Sequence, residues 1–113
     1  MLTVYGIKQC DTCRKALKWL AAQGIKHRFH DFRTDGLDPG LLQDWLDSPF
    51  ADVLVNRRST SWRQLTDDQR GLKGDKLIVL LLDVPTLIKR PVFVRDEIIA
   101  VGFEPNKLAG LLQ

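Results

Sequence analysis

The sequence predicts an α/β fold, a four-stranded mixed sheet built from a βαβ unit and a ββα unit with a mainly helical insert of about residues 34–84 between them. Three observations lead there. A β-prone run at the N-terminus is followed by a helical stripe and a second β-prone run. A stretch rich in Leu and Trp at helical spacing fills the middle. Period-two alternation returns only after Pro85. The 113 residues suffice for one ordinary core, so a single domain over residues 1–113 is expected.

Leu2–Tyr5 (LTVY) is apolar and β-prone and stops at Gly6, which predicts a strand and then a loop. Asp11 and Thr12 are candidate caps for the helix that follows, in which Ala16, Leu17, Leu20 and Ala21 recur at helical spacing. Gly24 stands where such a helix should end. Lys26–Phe32 alternates as a second strand. In the insert, Pro39–Asp47 carries an apolar stripe of Leu41, Leu42, Trp45 and Leu46. Asp52–Leu54 reads as a link and Asn56–Thr60 as a loop, while Trp62–Leu65 and Asp75–Leu82 read as helical. Val92, Val94, Ile98 and Ala100 alternate around Asp96–Glu97, predicting a hairpin whose turn pair is not a favoured one. Glu104–Leu112 is a last short helix with Pro105 in its first turn.

Composition excludes several classes of function. Hydrophobic residues make up 44% and charged residues 27%, as in globular chains and unlike disordered ones. The longest apolar run, Leu77–Leu82, is bounded by Lys76 and Asp83 and is far short of a membrane span. The first residues, MLTVYGIKQC, lack the pattern of a secretory leader, so cytoplasm is the expected location. A net charge of +3 is a mild excess and weak evidence for a polyanionic partner; without a basic block nothing argues for nucleic acid, and no direct nucleic-acid binding is expected. Glycine-rich phosphate motifs, Ser-His-Asp arrangements and paired-carboxylate signatures are missing, which disfavours nucleotide enzymes and hydrolases.

The chemistry points to Cys10 and Cys13, the two cysteines, which share the motif C-D-T-C. A metal site is poorly supplied, because His27 and His30 are the only histidines and sit together on the second strand, where they read as structural. A CxxC directly after a strand reads as redox chemistry. Cys10 would lie at the front of the first helix, where free backbone N–H groups and the helix dipole favour a thiolate. Lys8, Arg14 and Lys15 add local positive charge and Asp11 opposes it. Cys13, one turn on, is within reach of a disulfide with Cys10.

Arginines form a second constellation. Arg57, Arg58 and Arg63 lie in the polar middle and Arg90 precedes Pro91, a candidate cis proline. A guanidinium fork suits an oxyanion or a carboxylate, although each arginine taken singly is most simply a solvated surface residue. Trp45 and Trp62 read as packing residues, and Asp35 and Asp38 as turn residues.

The stretches YGIKQCDTCRKALKWL, DFRTDGL, LVNRRSTSWRQL and PTLIKRPVFV, in this order and over nearly the whole chain, resemble the arsenate reductase-like ArsC family with its Spx relatives, and most of all its small YffB-type members. The resemblance implies a thioredoxin-like βαβ–ββα core with a helical insert. It implies that Cys10 matches the catalytic cysteine, and that Arg58 and Arg90 match arginines that hold an oxyanion; Lys8 and Arg14 are further anion-binding candidates by their positive charge beside Cys10 alone. The family's reductases carry another arginine after the last strands. Here that stretch reads GFEPN, and the carboxylate of Glu104 disfavours arsenate.

Three functions follow from the resemblance. The first is a thiol–disulfide oxidoreductase with no tightly bound cofactor, using glutathione as co-substrate or acting on a protein thiol or disulfide. The second is a glutaredoxin-dependent arsenate reductase. The third is a non-enzymatic, Spx-like redox sensor that binds RNA polymerase.

Overall fold

The computed structural model describes residues Met1–Leu112. The chain forms two compact units, Met1–Gly36 with Arg90–Gln113, and Leu37–Lys89.

The first unit carries the sheet. Its strands are β1 (Leu2–Gly6), β2 (His27–Asp31), β3 (Val92–Arg95) and β4 (Glu97–Val101), in the spatial order β2-β1-β3-β4. β1 runs parallel to β2 and antiparallel to β3, and β3 is antiparallel to β4. This is the expected thioredoxin-like mixed sheet with its helical insert. Helix α1 (Asp11–Ala22) crosses between β1 and β2, and helix α7 (Pro105–Leu111) follows β4. Leu2 and Val4 of β1, Ala16 and Leu20 of α1, Phe93 of β3 and Leu108 of α7 form the buried core, edged by Trp19 and Phe103 with rings 5.9 Å apart. Each fully buried Leu or Phe contributes roughly 1.5–3 kcal/mol. The core therefore anchors β1 and α1, the two elements that flank Cys10.

Helix α1 buries Cys13, Ala16 and Leu20, one stripe at helical spacing. It ends in a Schellman motif: Gly24, at φ +69°, donates to Ala21 O and Ile25 donates to Leu20 O. Its N-cap is Cys10 itself, with no side-chain cap, which corrects the expectation that Asp11 or Thr12 caps it; both lie inside the first turn. The β3–β4 turn is also one residue shorter than the expected Asp96–Glu97, because Glu97 already belongs to β4. Asp96 alone, at φ 66°, separates the paired Arg95 and Glu97. Aspartate tolerates that left-handed conformation better than most residues do.

The second unit is helical, with α2 (Pro39–Leu46), α3 (Ala51–Leu54), α4 (Thr60–Arg63), α5 (Asp67–Arg70) and α6 (Gly74–Asp83), then a 3-10 turn at Pro85–Leu87. Leu42, Trp45, Leu54, Ile78, Leu81 and Leu87 are buried. Asp38 caps α2, accepting from Leu41 N–H at 3.1 Å. Backbone bonds from Asn56 N to Leu87 O and from Lys89 N to Leu54 O, both 2.8 Å, tie the segment after α3 to the segment after the 3-10 turn.

Three expectations change in this unit. Asp52–Leu54 belongs to helix α3 and is not a link. The helix expected at Trp62–Leu65 begins at Thr60 and ends at Arg63. A separate helix, α5, follows, held by a capping box between Thr66 and Gln69 and by Arg70, whose guanidinium donates to Trp62 O and Arg63 O.

Candidate active site at the start of the first helix

Cys10 stands at the junction of the β1–α1 loop and α1. Its N–H donates to Ile7 O at 3.0 Å, closing the loop, and its carbonyl accepts from Arg14 N–H at 3.0 Å, opening the helix. The thiol is partly exposed. Burial pushes its pKa up, but opposing contacts prevail and hold it below the ordinary thiol value. These are the Cys13 N–H, the Cys13 thiol, the Arg90 guanidinium and the Thr12 N–H.

Cys13 has the opposite environment. It is fully buried, and burial together with the neighbouring Cys10 pushes its thiol up to about 12, although the Ile7 N–H and Arg90 pull the other way. At neutral pH Cys13 is thus a thiol that donates a hydrogen bond to the Cys10 sulfur. Two like-charged sulfurs this close cannot both ionise easily, and the partly exposed one under the free helix N–H groups takes the charge. Gly6 makes room for the buried one: a side chain there would overlap the Cys13 sulfur.

Arg90 reaches this pair from the start of β3. Its peptide bond to Pro91 is cis. Its Nε and Nη1 are buried and have no hydrogen-bond partner among the described residues. A half-buried arginine with two unspent donors beside a thiolate is an anion-binding arrangement.

The other predicted residues are distributed differently. Lys8 contributes its backbone, through an N–H bonded to Asp31 Oδ2 at 2.8 Å. Arg14 Nε donates to Lys8 O at 3.1 Å, and its Nη1 lies 3.6 Å from the exposed Asp11 carboxylate. The charge that favours the Cys10 thiolate comes instead from Arg90. Arg58 belongs to the second unit, where with Arg57, Lys89, Asp52 and Asn56 it lines an open cavity of about 350 Å³. Its backbone N–H is fixed by Asn56 Oδ1 at 3.1 Å, leaving the exposed guanidinium to the cavity. Arg57 also packs over Trp62, 5.8 Å from the ring centre. Glu104 is the exposed N-cap residue of α7 and makes no side-chain cap bond.

His27 and His30 are structural, donating to Ile25 O and Gly36 O at 2.8 Å each. No group of His, Cys, Asp or Glu able to hold a metal occurs among the described residues. No helix of the described residues is long and apolar enough to cross a membrane.

A thiol pair at the N-cap and in the first turn of the first helix of a four-stranded mixed sheet, with a cis proline before the third strand, narrows the comparison to thioredoxin-like proteins. The model of the ArsC family matches residues 5–111. The chain belongs to the ArsC family. It is 52% identical over 110 residues to an uncharacterized protein of Haemophilus influenzae, covering 95% of both chains. The solved structure of a YffB protein superposes with a TM-score of 0.89 at 36% identity, over 100% of both chains. At 25% identity the chain is similar to the global transcriptional regulator Spx of Lactiplantibacillus plantarum, covering 99% of this chain and 86% of that one.

Within this ArsC-family site, sequence reasoning missed two residues. Gly6 reads from sequence as a strand terminator, although its second role is to admit the Cys13 sulfur. Asp31 was read only as part of a strand. It is 4% exposed, and its carboxylate accepts from the N–H groups of Lys8, Arg33 and Thr34. The local half of that pattern, Asp31 to Arg33 and Thr34, is an Asx-type turn that D-F-R-T could have signalled. The bond to Lys8 spans two strands and leaves no local trace.

Proposed function

We propose that the protein is a thiol–disulfide oxidoreductase with Cys10 as nucleophile, acting on mixed disulfides of glutathione or of a similar anionic thiol. The observation that carries this reading is the asymmetry of the pair: the Cys10 thiol is depressed and partly exposed, whereas the Cys13 thiol is raised and buried. Such a pair has one attacking sulfur and one held in reserve.

The Cys10 thiolate attacks the glutathione sulfur of a mixed disulfide. The Cys10–glutathione S–S bond forms, the substrate S–S bond breaks, and the substrate thiolate leaves and takes a proton from water. A second glutathione thiolate then attacks the glutathione sulfur bound to Cys10. Glutathione disulfide leaves and the Cys10 thiolate returns, so one free glutathione is oxidised for each mixed disulfide reduced, the other half of the product coming from the substrate. Cys13 offers a side route: after losing its proton it displaces glutathione from Cys10, giving the internal disulfide, which two further glutathiones reduce. The unspent donors of Arg90 support binding of an anionic group beside Cys10. The cationic cavity around Arg58 supports a role for that arginine in holding a carboxylate.

Arsenate is the less favoured substrate, because Glu104 stands where arsenate reductases resemble one another in having an arginine. A second reading, a redox sensor that binds a transcription partner, draws on the similarity to Spx and on the Cys10–Cys13 pair. The test is steady-state turnover of a glutathione mixed disulfide with glutathione reductase recycling the product. Multiple turnovers abolished by Cys10→Ser support the oxidoreductase. Glutaredoxin-dependent arsenate reduction would support the second function named above, and stoichiometric capture of RNA polymerase without turnover would support the sensor.

A further inference from the structure

We propose that Asp31 is the positioning residue of the thiol pair, holding the Ile7–Gln9 loop in the shape that places Cys10 at the helix start. This inference rests on the thiol reading of the site but extends it to a residue that touches neither sulfur.

Asp31 ends β2 opposite Gly6, the last residue of β1. Phe32 N–H donates to Gly6 O at 2.9 Å, so backbone pairing already fixes where β1 stops. Beyond that point β1 has no ladder to follow, and the loop to α1 needs another anchor. The Asp31 carboxylate supplies it. Oδ2 takes the Lys8 N–H at 2.8 Å, while Oδ1 takes Arg33 N–H at 2.7 Å and Thr34 N–H at 3.3 Å.

The anchored residue is flanked by the contacts that matter to both cysteines. Ile7 O receives the Cys10 N–H, Ile7 N–H faces the Cys13 sulfur, and Lys8 O receives Arg14 Nε of α1. A shift of the loop at Lys8 therefore moves the backbone of Cys10 and the donor to Cys13 together. Two further groups face Asp31. The Arg33 charge favours its ionised form, and the Asp35 carboxylate accepts Asp31 N–H at 2.9 Å, which holds the backbone behind it. A buried carboxylate with this many N–H donors is ionised and rigid, and an amide in its place must turn an NH2 group toward one set of donors.

The experiment is Asp31→Asn in the full chain, read by the pH profile of Cys10 alkylation, with the modified cysteine located by peptide mass. The profile midpoint should rise by about one pH, which below neutrality slows alkylation about tenfold. Urea unfolding of the same variant gives its stability separately. A folded but destabilised variant with an unchanged profile would overturn the proposal and leave Asp31 a purely structural residue. If the variant does not fold, the wild type decides. Coupling is reciprocal, so alkylating Cys10 should change hydrogen exchange at the Lys8 amide. An unchanged Lys8 amide would overturn the proposal. Neither readout depends on turnover, so failure of the oxidoreductase reading in the glutathione assay remains a separate result.

Discussion

The Cys13 sulfur occupies the space that a side chain on Gly6 would need. The requirement for glycine at this position comes from packing and not from backbone conformation, because the residue that ends β1 must leave a notch for the buried thiol. Gly6→Ala should therefore destabilise the fold by about 1–3 kcal/mol, as overpacking does elsewhere. It should also displace Cys13 from Cys10. Urea unfolding and disulfide formation under mild oxidation measure the two effects. A variant as stable and as readily oxidised as wild type would show that the notch is not filled as described.

Cys13 donates a hydrogen bond to the Cys10 thiolate, so its removal should raise the Cys10 pKa. Cys13→Ala should raise it further than Cys13→Ser, because serine keeps a hydroxyl donor. The N–H groups of Thr12 and residue 13 stay, so part of the depression should persist in both variants. With its thiol pushed up to about 12, Cys13 should resist alkylation at neutral pH in the native protein while Cys10 reacts. Equal labelling of the two cysteines would contradict the assigned roles.

Arg90 and Arg58 should separate kinetically. Arg90 favours the Cys10 thiolate, so Arg90→Gln should raise the Cys10 pKa and slow the attack. Arg90→Lys keeps the charge but loses the fork, and its main effect should be weaker binding of the anionic substrate. Arg58 does not contribute to the depressed Cys10 value, so Arg58→Lys should raise KM and leave the alkylation profile intact. Unchanged mixed-disulfide kinetics in both lysine variants would remove the anion-binding role of these arginines.

Asp31 links acidity to stability. Burial raises its carboxyl pKa, but the N–H groups of Lys8, Arg33 and Thr34 and the Arg33 charge outweigh burial and hold it below the ordinary 3.8. The unfolded chain therefore binds this proton at a higher pH than the folded chain does. The stabilisation is fully present above about pH 4 and is lost as pH falls through the lower folded value. In Asp31→Asn, unfolding free energy should fall less steeply with acidification below pH 4. The neutral-pH cost should be about 1–3 kcal/mol, as for buried donors left without partners. Parallel acid dependence in the two proteins would exclude the linkage.

Much of the sheet-bearing unit was legible because its signals are local. Period-two runs marked the strands, the Ala16–Leu20 stripe marked α1, and Gly24 marked its end. The Cys10–Cys13 spacing pointed directly to the chemistry. The insert was harder to read because α3, α4 and α5 are each a single turn, shorter than a helical period can establish. The Thr66–Gln69 capping box was the one strong local signal there, and it marks α5. Charge around Cys10 was the other feature that local sequence could not place. Sequence proximity made Lys8 and Arg14 the natural partners of Cys10, yet Lys8 contributes its backbone and Arg14 is bonded to the Lys8 carbonyl and faces Asp11. The charge that acts on Cys10, Arg90, was already a candidate through the family resemblance, and it arrives with β3 through the antiparallel pairing with β1.

The stabilised Cys10 thiolate is measured most directly by the rate of Cys10 alkylation as a function of pH in the otherwise unmodified protein, resolved from Cys13 by peptide mass. The expected midpoint lies clearly below the free-cysteine value of about 8.5, with Cys13 unlabelled over the same range. A midpoint at or above that value would contradict it, because Cys10 would then carry no stabilised thiolate to begin thiol–disulfide exchange.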